Sequence, residues 1–172
     1  LCGTGGPNPG AKFGIALARR LAKKNGPQSY SAFVEKLAFG SYNKRTAQKS
    51  PVDWLSRDEA AVDLYNEDPL CGFVPTAGLL HDMMGGIEFV TRQKNIARMK
   101  KDLPVLFVSG DCDPVGEQGR GAIRAYKCFL KAGMKDVSMK LYPGGRHEML
   151  NETNKEEVYA DILSWLSSKT GK

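Results

Sequence analysis

The sequence predicts an α/β fold: parallel strands with flanking helices, joined to a long helical insertion. Three observations predict it. Pro104 to Val108 is a continuous apolar run, the texture of a parallel strand covered on both faces. A helical stripe, a second strand-like run and a second helical stripe follow, which is the strand–helix–strand–helix grammar of a parallel sheet. Before residue 100 the chain reads as helices and loops without a convincing strand. The expected division is residues 1–10 as the end of a core strand with its turn, 11–99 as the helical insertion, and 100–172 as α/β core.

The elements follow in order. Leu1, Cys2 and Gly3 precede a glycine-rich turn and read as the tail of a strand. Phe13, Leu17 and Leu21 fall on one face of a first helix. Phe33, Val34, Leu37 and Ala38 make a second, with Gly40 as its stop. Asp58 to Tyr65 is a third. Pro75 is placed to open a fourth, whose apolar stripe is Leu79, Leu80, Met83, Met84, Ile87 and Val90, weakened at Gly85 and Gly86. After the Pro104–Val108 strand, Ala122, Ile123, Tyr126, Phe129 and Leu130 form a helical stripe that ends near Gly133. Val137 to Tyr142 is the second strand. Thr153 to Glu156 (T-N-K-E) has the spacing of a capping box, in which hydroxyl and carboxylate each satisfy a backbone N–H. It would open a last helix carrying Val158, Tyr159, Ile162, Leu163, Trp165 and Leu166. Two strands are too few for a stable sheet, so further strands are expected before Leu1.

Composition narrows the function classes. No apolar run approaches the ~20 residues of a membrane-spanning helix. The first residues lack the basic start and apolar stretch of a signal peptide. The net charge is +6, but the basic residues are scattered. Their densest group, Arg19, Arg20, Lys23 and Lys24, recurs at helical spacing and reads as one solvated helix face, not a nucleic-acid surface. The four cysteines form no C-x-x-C pair and only two histidines exist, so no metal site or other cofactor is expected. Reduced thiols and a cytoplasmic location are the expectation.

Chemistry-bearing residues gather after the two clear strands. Functional groups in an open parallel sheet lie at the strands' carboxyl ends. Asp111 and Asp113 come just past the first strand, in S-G-D-C-D-P-V. His147 comes just past the second, in P-G-G-R-H-E-M-L-N-E. An aspartate and a histidine at one sheet edge are two thirds of a nucleophilic triad: the carboxylate fixes the imidazole tautomer, and Nε2 takes the nucleophile's proton.

These segments resemble an α/β hydrolase of the lysophospholipase and monoacylglycerol lipase type, also called the serine aminopeptidase family. Ser109 to Val115 resembles the family's acid loop, and Tyr142 to Glu148 (Y-P-G-G-R-H-E) its histidine loop. Asp53 to Asp58 (D-W-L-S-R-D) and Asp68 to Phe73 (D-P-L-C-G-F) resemble segments of its cap. The resemblance implies that the chain is the C-terminal part of an α/β-hydrolase fold, with 11–99 as a helical cap or lid. It implies Asp113 as triad acid and His147 as general base. Asp111 then reads as a turn residue, bonding its own backbone two residues on. Phe39, Phe73, Leu79, Leu80, Met83 and Met84 become candidates to line an acyl-chain slot. His81, beside Asp82 on the fourth helix, reads as structural or solvent-facing.

The family needs a serine in a G-x-S-x-G elbow, and no serine here has those flanking glycines. The nucleophile is therefore expected upstream of Leu1, from the missing half on the same or a second chain. This stretch alone is expected to be inactive. The implied substrate is a small lipid ester. Two other readings stay open at this point. One is a Mg²⁺-dependent phosphatase using Asp111 and Asp113 as a D-x-D motif. The other is a non-catalytic hydrolase relative or a basic binding module.

Overall fold

The computed structural model describes residues 9–171. The strand tail expected at Leu1 to Gly3, with Cys2, lies outside the described residues, as do the side chains of Val34, Leu37 and Ala38. In order, the elements are α1 (Pro9–Asn25), α2 (Ala32–Phe39), α3 (Glu59–Glu67), α4 (Ala77–Thr91), α5 (Gln93–Ile96), β1 (Val105–Gly110), α6 (Arg120–Lys131), β2 (Val137–Tyr142) and α7 (Lys155–Thr170). Short 3₁₀ turns occupy Tyr42–Arg45 and Met149–Asn151.

β1 and β2 pair in parallel, from Val105 opposite Val137 to Gly110 opposite Tyr142. The loops that follow β1 and β2 therefore leave the sheet at the same edge and the same height. α6 crosses between the strands, and Phe107 of β1 meets Phe129 of α6 edge-on at 5.0 Å. Val108, Tyr142, Met149 and Val158 form the core beneath the site, with Leu106 and Ile162 against it. A second core joins Ala18 of α1 to Leu80 of α4, with Leu17, Leu21 and Phe39 around it.

Helix boundaries follow from caps. Asp58 caps α3 by accepting the Ala60 and Ala61 N–H groups, and Thr76 caps α4 by accepting that of Leu79. Pro75 thus sits outside α4 and does not open it. Gly85 and Gly86 do not interrupt α4, which runs unbroken through both.

Three expectations need correction. Phe13 is 67% exposed, because α1 meets α4 through Leu17, Ala18 and Leu21 and Phe13 lies a turn before that contact. The capping box does not form: Asn154, not Thr153, is the N-cap of α7 and makes no side-chain cap bond. The carboxylate of Glu152 takes the Thr153 N–H at 3.0 Å and its hydroxyl at 3.5 Å, and a buried anion is the stronger acceptor. Burial in β1 is concentrated at Val108, Ser109 and Gly110, while Val105 to Phe107 are half-buried.

Candidate active site

The acid loop and the histidine loop touch through backbone. Past β1, the Asp111 N–H donates to the Tyr142 carbonyl at 3.1 Å and the Cys112 N–H to the Gly145 carbonyl at 2.9 Å. A Cβ on Gly110 would lie 1.9 Å from the Gly145 carbonyl oxygen. Only glycine permits so close an approach. The carboxyl end of β1 and the P-G-G turn are thus fixed against each other before any side chain is considered.

The structure brings Asp113 and His147 together across that contact. Asp113 is 2% exposed. Its two carboxylate oxygens stand 3.1 and 3.2 Å from Nδ1 of His147. Oδ1 also accepts the Val115 N–H at 2.9 Å, an Asx turn that aims the carboxylate. A carboxylate on Nδ1 fixes the proton there and makes Nε2 the basic nitrogen of the neutral ring. The arrangement can orient an imidazole and stabilise its protonated form.

Aromatic rings lead up to that imidazole. Trp54 lies 5.3 Å from the His147 ring, Tyr42 5.1 Å from Trp54, and Phe39 6.0 Å from Tyr42. Asn43 holds this row by accepting the Trp54 N–H at 3.1 Å and donating to the Ser50 carbonyl at 2.6 Å. Burial, and secondarily the charge of Asp113, push the Tyr42 phenol above its ordinary value, so it stays a neutral donor.

Asp111 does not bond its own backbone. Its Oδ1 accepts the Gly144 N–H at 2.7 Å, tying the acid loop to the histidine loop. The glycine turn of residues 143–145 brings a donor closer than the aspartate's own chain does. This geometry speaks against a D-x-D pair, since Asp111 and Asp113 turn to different partners. Among the described residues, no three His, Cys, Asp or Glu side chains are grouped to hold a metal.

The candidate acyl-slot residues do not form one lining. Leu80 is buried in the α1–α4 contact, with Phe39 packed against it. Phe73, Leu79 and Met83 are exposed, and Met84 is half-buried. His81 is structural: Nδ1 pairs with Asp82 at 2.9 Å, and Nε2 accepts from Nε of Arg19 at 3.2 Å, joining α4 to α1. The adjacent Asp82 does reach it, although helix neighbours do not normally face each other. Arg19, Arg20, Lys23 and Lys24 line an open groove with Ala16, Glu88 and Arg92.

Sequence reasoning missed the residues that frame the histidine loop. Arg146 donates to the Asp53 and Ser56 carbonyls at 2.6 and 2.7 Å. Ser56 Oγ donates to the Asn151 carbonyl at 2.7 Å. Arg57 meets the fully buried carboxylate of Glu152 at 2.8 Å. D-W-L-S-R-D was visible as a unit, but nothing local says that it docks about ninety residues away.

A partial α/β-hydrolase fold with an Asp–His pair at the strand ends defines the class. The sequence profile of the family "Serine aminopeptidase, S33" matches residues 8–154. A human monoglyceride lipase is 30% identical over 97% of this chain and 54% of its own length. A monoacylglycerol lipase of Mycolicibacterium smegmatis is 30% identical over 67% of this chain and 39% of its own. The crystal structure of a thermostable carboxyl esterase from Bacillus coagulans, in complex with glycerol, superimposes with a TM-score of 0.88 at 28% identity, covering 98% of this chain and 55% of that one. The chain belongs to the serine aminopeptidase S33 family of α/β hydrolases, among the monoglyceride-lipase relatives. It spans about half the length of the relatives it matches.

Proposed function

We propose that this chain carries the acid, the base and the lid of a serine hydrolase that cleaves carboxylic esters of lipids, of the monoacylglycerol or lysophospholipid kind. The observation that carries the reading is the 3.1 Å contact of Asp113 with Nδ1 of His147 at the carboxyl ends of paired parallel strands. In the mechanism, a serine hydroxyl attacks the ester carbonyl while Nε2 of His147 accepts its proton. Asp113 stabilises the imidazolium that forms. The imidazolium then protonates the departing alcohol, and a water molecule, activated in the same way, releases the fatty acid.

The serine is assigned to sequence before Leu1. In support, none of the 172 residues makes a G-x-S-x-G elbow, and the relatives are about twice as long as the stretch they share. On this reading residues 11–99 are the lid. Exposed Phe73, Leu79 and Met83, with Met84, offer the apolar surface that an acyl chain would use, and methionine adapts to variable chains. Leu80 and Phe39 serve the slot from behind, as its packing. The described cysteines, Cys71, Cys112 and Cys128, are all free thiols, in keeping with a cytoplasmic setting. Among the described residues no helix is long and apolar enough to cross a membrane.

The test is to treat the natural gene product with a fluorophosphonate probe, measure intact mass, and assay monoacylglycerol and lysophospholipid hydrolysis. One adduct on a species larger than 18.8 kDa, lost in His147→Ala and Asp113→Asn along with activity, is the expected result. A product of the natural gene that takes no adduct and hydrolyses neither ester would replace the proposal with a non-catalytic relative.

A further inference from the structure

We infer that Glu152 is a positioning residue for His147, setting the histidine loop through a buried lattice of two arginines and the 53–58 segment. The inference rests on the serine-hydrolase reading for its catalytic meaning. Glu152 is fully buried. Oε1 accepts the Arg146 N–H at 2.8 Å and the Arg57 N–H at 3.2 Å. Oε2 accepts Nε of Arg57 at 2.8 Å and the Thr153 N–H at 3.0 Å. One carboxylate thus gathers donors from both sides of the docking contact.

The peptide that carries His147 is held by this lattice at both ends. The N–H before it, on Arg146, goes to Glu152. Its own N–H goes to the Trp54 carbonyl at 3.4 Å, and the next, on Glu148, to Leu55 at 2.8 Å. Trp54 and Leu55 are in turn fixed by Arg146, whose guanidinium bonds the carbonyls of Asp53 and Ser56 on either side of them. A buried ion pair is weak evidence for stability, since apolar residues of similar volume often serve as well. What the pair does supply is direction: several fixed donors meeting one buried acceptor.

The bonds of Glu152 run to backbone N–H groups, to Arg57 and to Thr153, so its effect on His147 passes through loop geometry. Glu152→Gln keeps the shape but turns an amide N–H₂ toward donors. The loop then loosens, and the Asp113–His147 contact lengthens. A longer contact with Asp113 leaves the imidazolium formed during turnover less well oriented and less well stabilised.

The experiment compares wild-type natural gene product with Glu152→Gln and Arg57→Gln, the second being a partner at a partly exposed position. Kinetics on a soluble short-chain ester are normalised to the folded fraction. In Glu152→Gln, kcat should fall about 10–100-fold with KM within roughly twofold, as expected of a misplaced but intact catalytic group. Arg57→Gln should lower kcat by a smaller factor, again with KM held. Unchanged kcat in whichever variant folds would overturn the inference. If the wild-type protein cleaves no ester and takes no fluorophosphonate, the hydrolase reading has failed. The Nδ1–H proton of His147, seen by NMR, then decides: a weakened or lost hydrogen-bonded resonance in Glu152→Gln supports positioning, and an identical one refutes it.

Discussion

Gly110→Ala is the sharpest single test of how the site is built. An added Cβ would meet the Gly145 carbonyl oxygen at 1.9 Å, its carbon at 2.1 Å and the Arg146 oxygen at 2.5 Å. All three are backbone atoms, so no side chain can swing aside. One loop must withdraw by about 1.5 Å to reach ordinary contact. Half that shift stretches the 3.1 Å Asp113–His147 contact past ~3.2 Å, where the bond weakens. It also strains the Cys112–Gly145 bond. Overpacking of this kind costs about 1–3 kcal/mol, and a displacement near 1 Å at reacting groups costs about 10²-fold in rate. Urea unfolding with a constant slope gives the first quantity, and ester turnover by the natural gene product gives the second. A Gly110→Ala protein with the wild-type midpoint and wild-type turnover would refute the claim that backbone contact sets the dyad.

Two further outcomes come from other parts of the fold. Gly85→Ala should stabilise the protein by about 0.5–1 kcal/mol, since the position is inside α4 and an added Cβ meets nothing within 4 Å; a raised urea midpoint with unchanged turnover checks it. Stability should fall on acidification. The Lys140 ammonium, and then the Tyr142 hydroxyl, hold the Asp161 carboxyl below its ordinary value, so its contribution is present above about pH 4 and lost as pH falls through the folded-state value. Asp161→Asn should flatten the fall of the unfolding midpoint below about pH 4.

The sheet edge was legible because its signals are local. Apolar runs gave β1 and β2 within two residues, and position after a strand end brought Asp113 and His147 to one place. The helices were legible by periodicity, yet burial was not: Phe13 shares a face with Leu17 and Leu21 but extends past the partner helix. The capping box failed for a related reason. Its spacing is a local statement, whereas Glu152, the competing acceptor, is buried by a segment about ninety residues earlier. Asp111 was misread likewise, because its partner Gly144 belongs to the other loop. Local chemistry names the residues that can act, and long-range polar docking decides which of their alternatives they take.

That division has a physical consequence for the site. The separation of Asp113 and His147 is set by backbone approach between two strand-end loops, at Gly110 and Gly145. The orientation of the imidazole is set by the polar lattice from Asp53 to Arg57. The contact between α1 and α4 is a separate core, built on Ala18 and Leu80. Phe39 of that core reaches Tyr42, and through Tyr42 and Trp54 the His147 ring, so the aromatic row joins the two parts of the fold. The 53–58 segment is where the two meet: it lies in the sequence of the helical part, but its hydrogen bonds belong to the histidine loop.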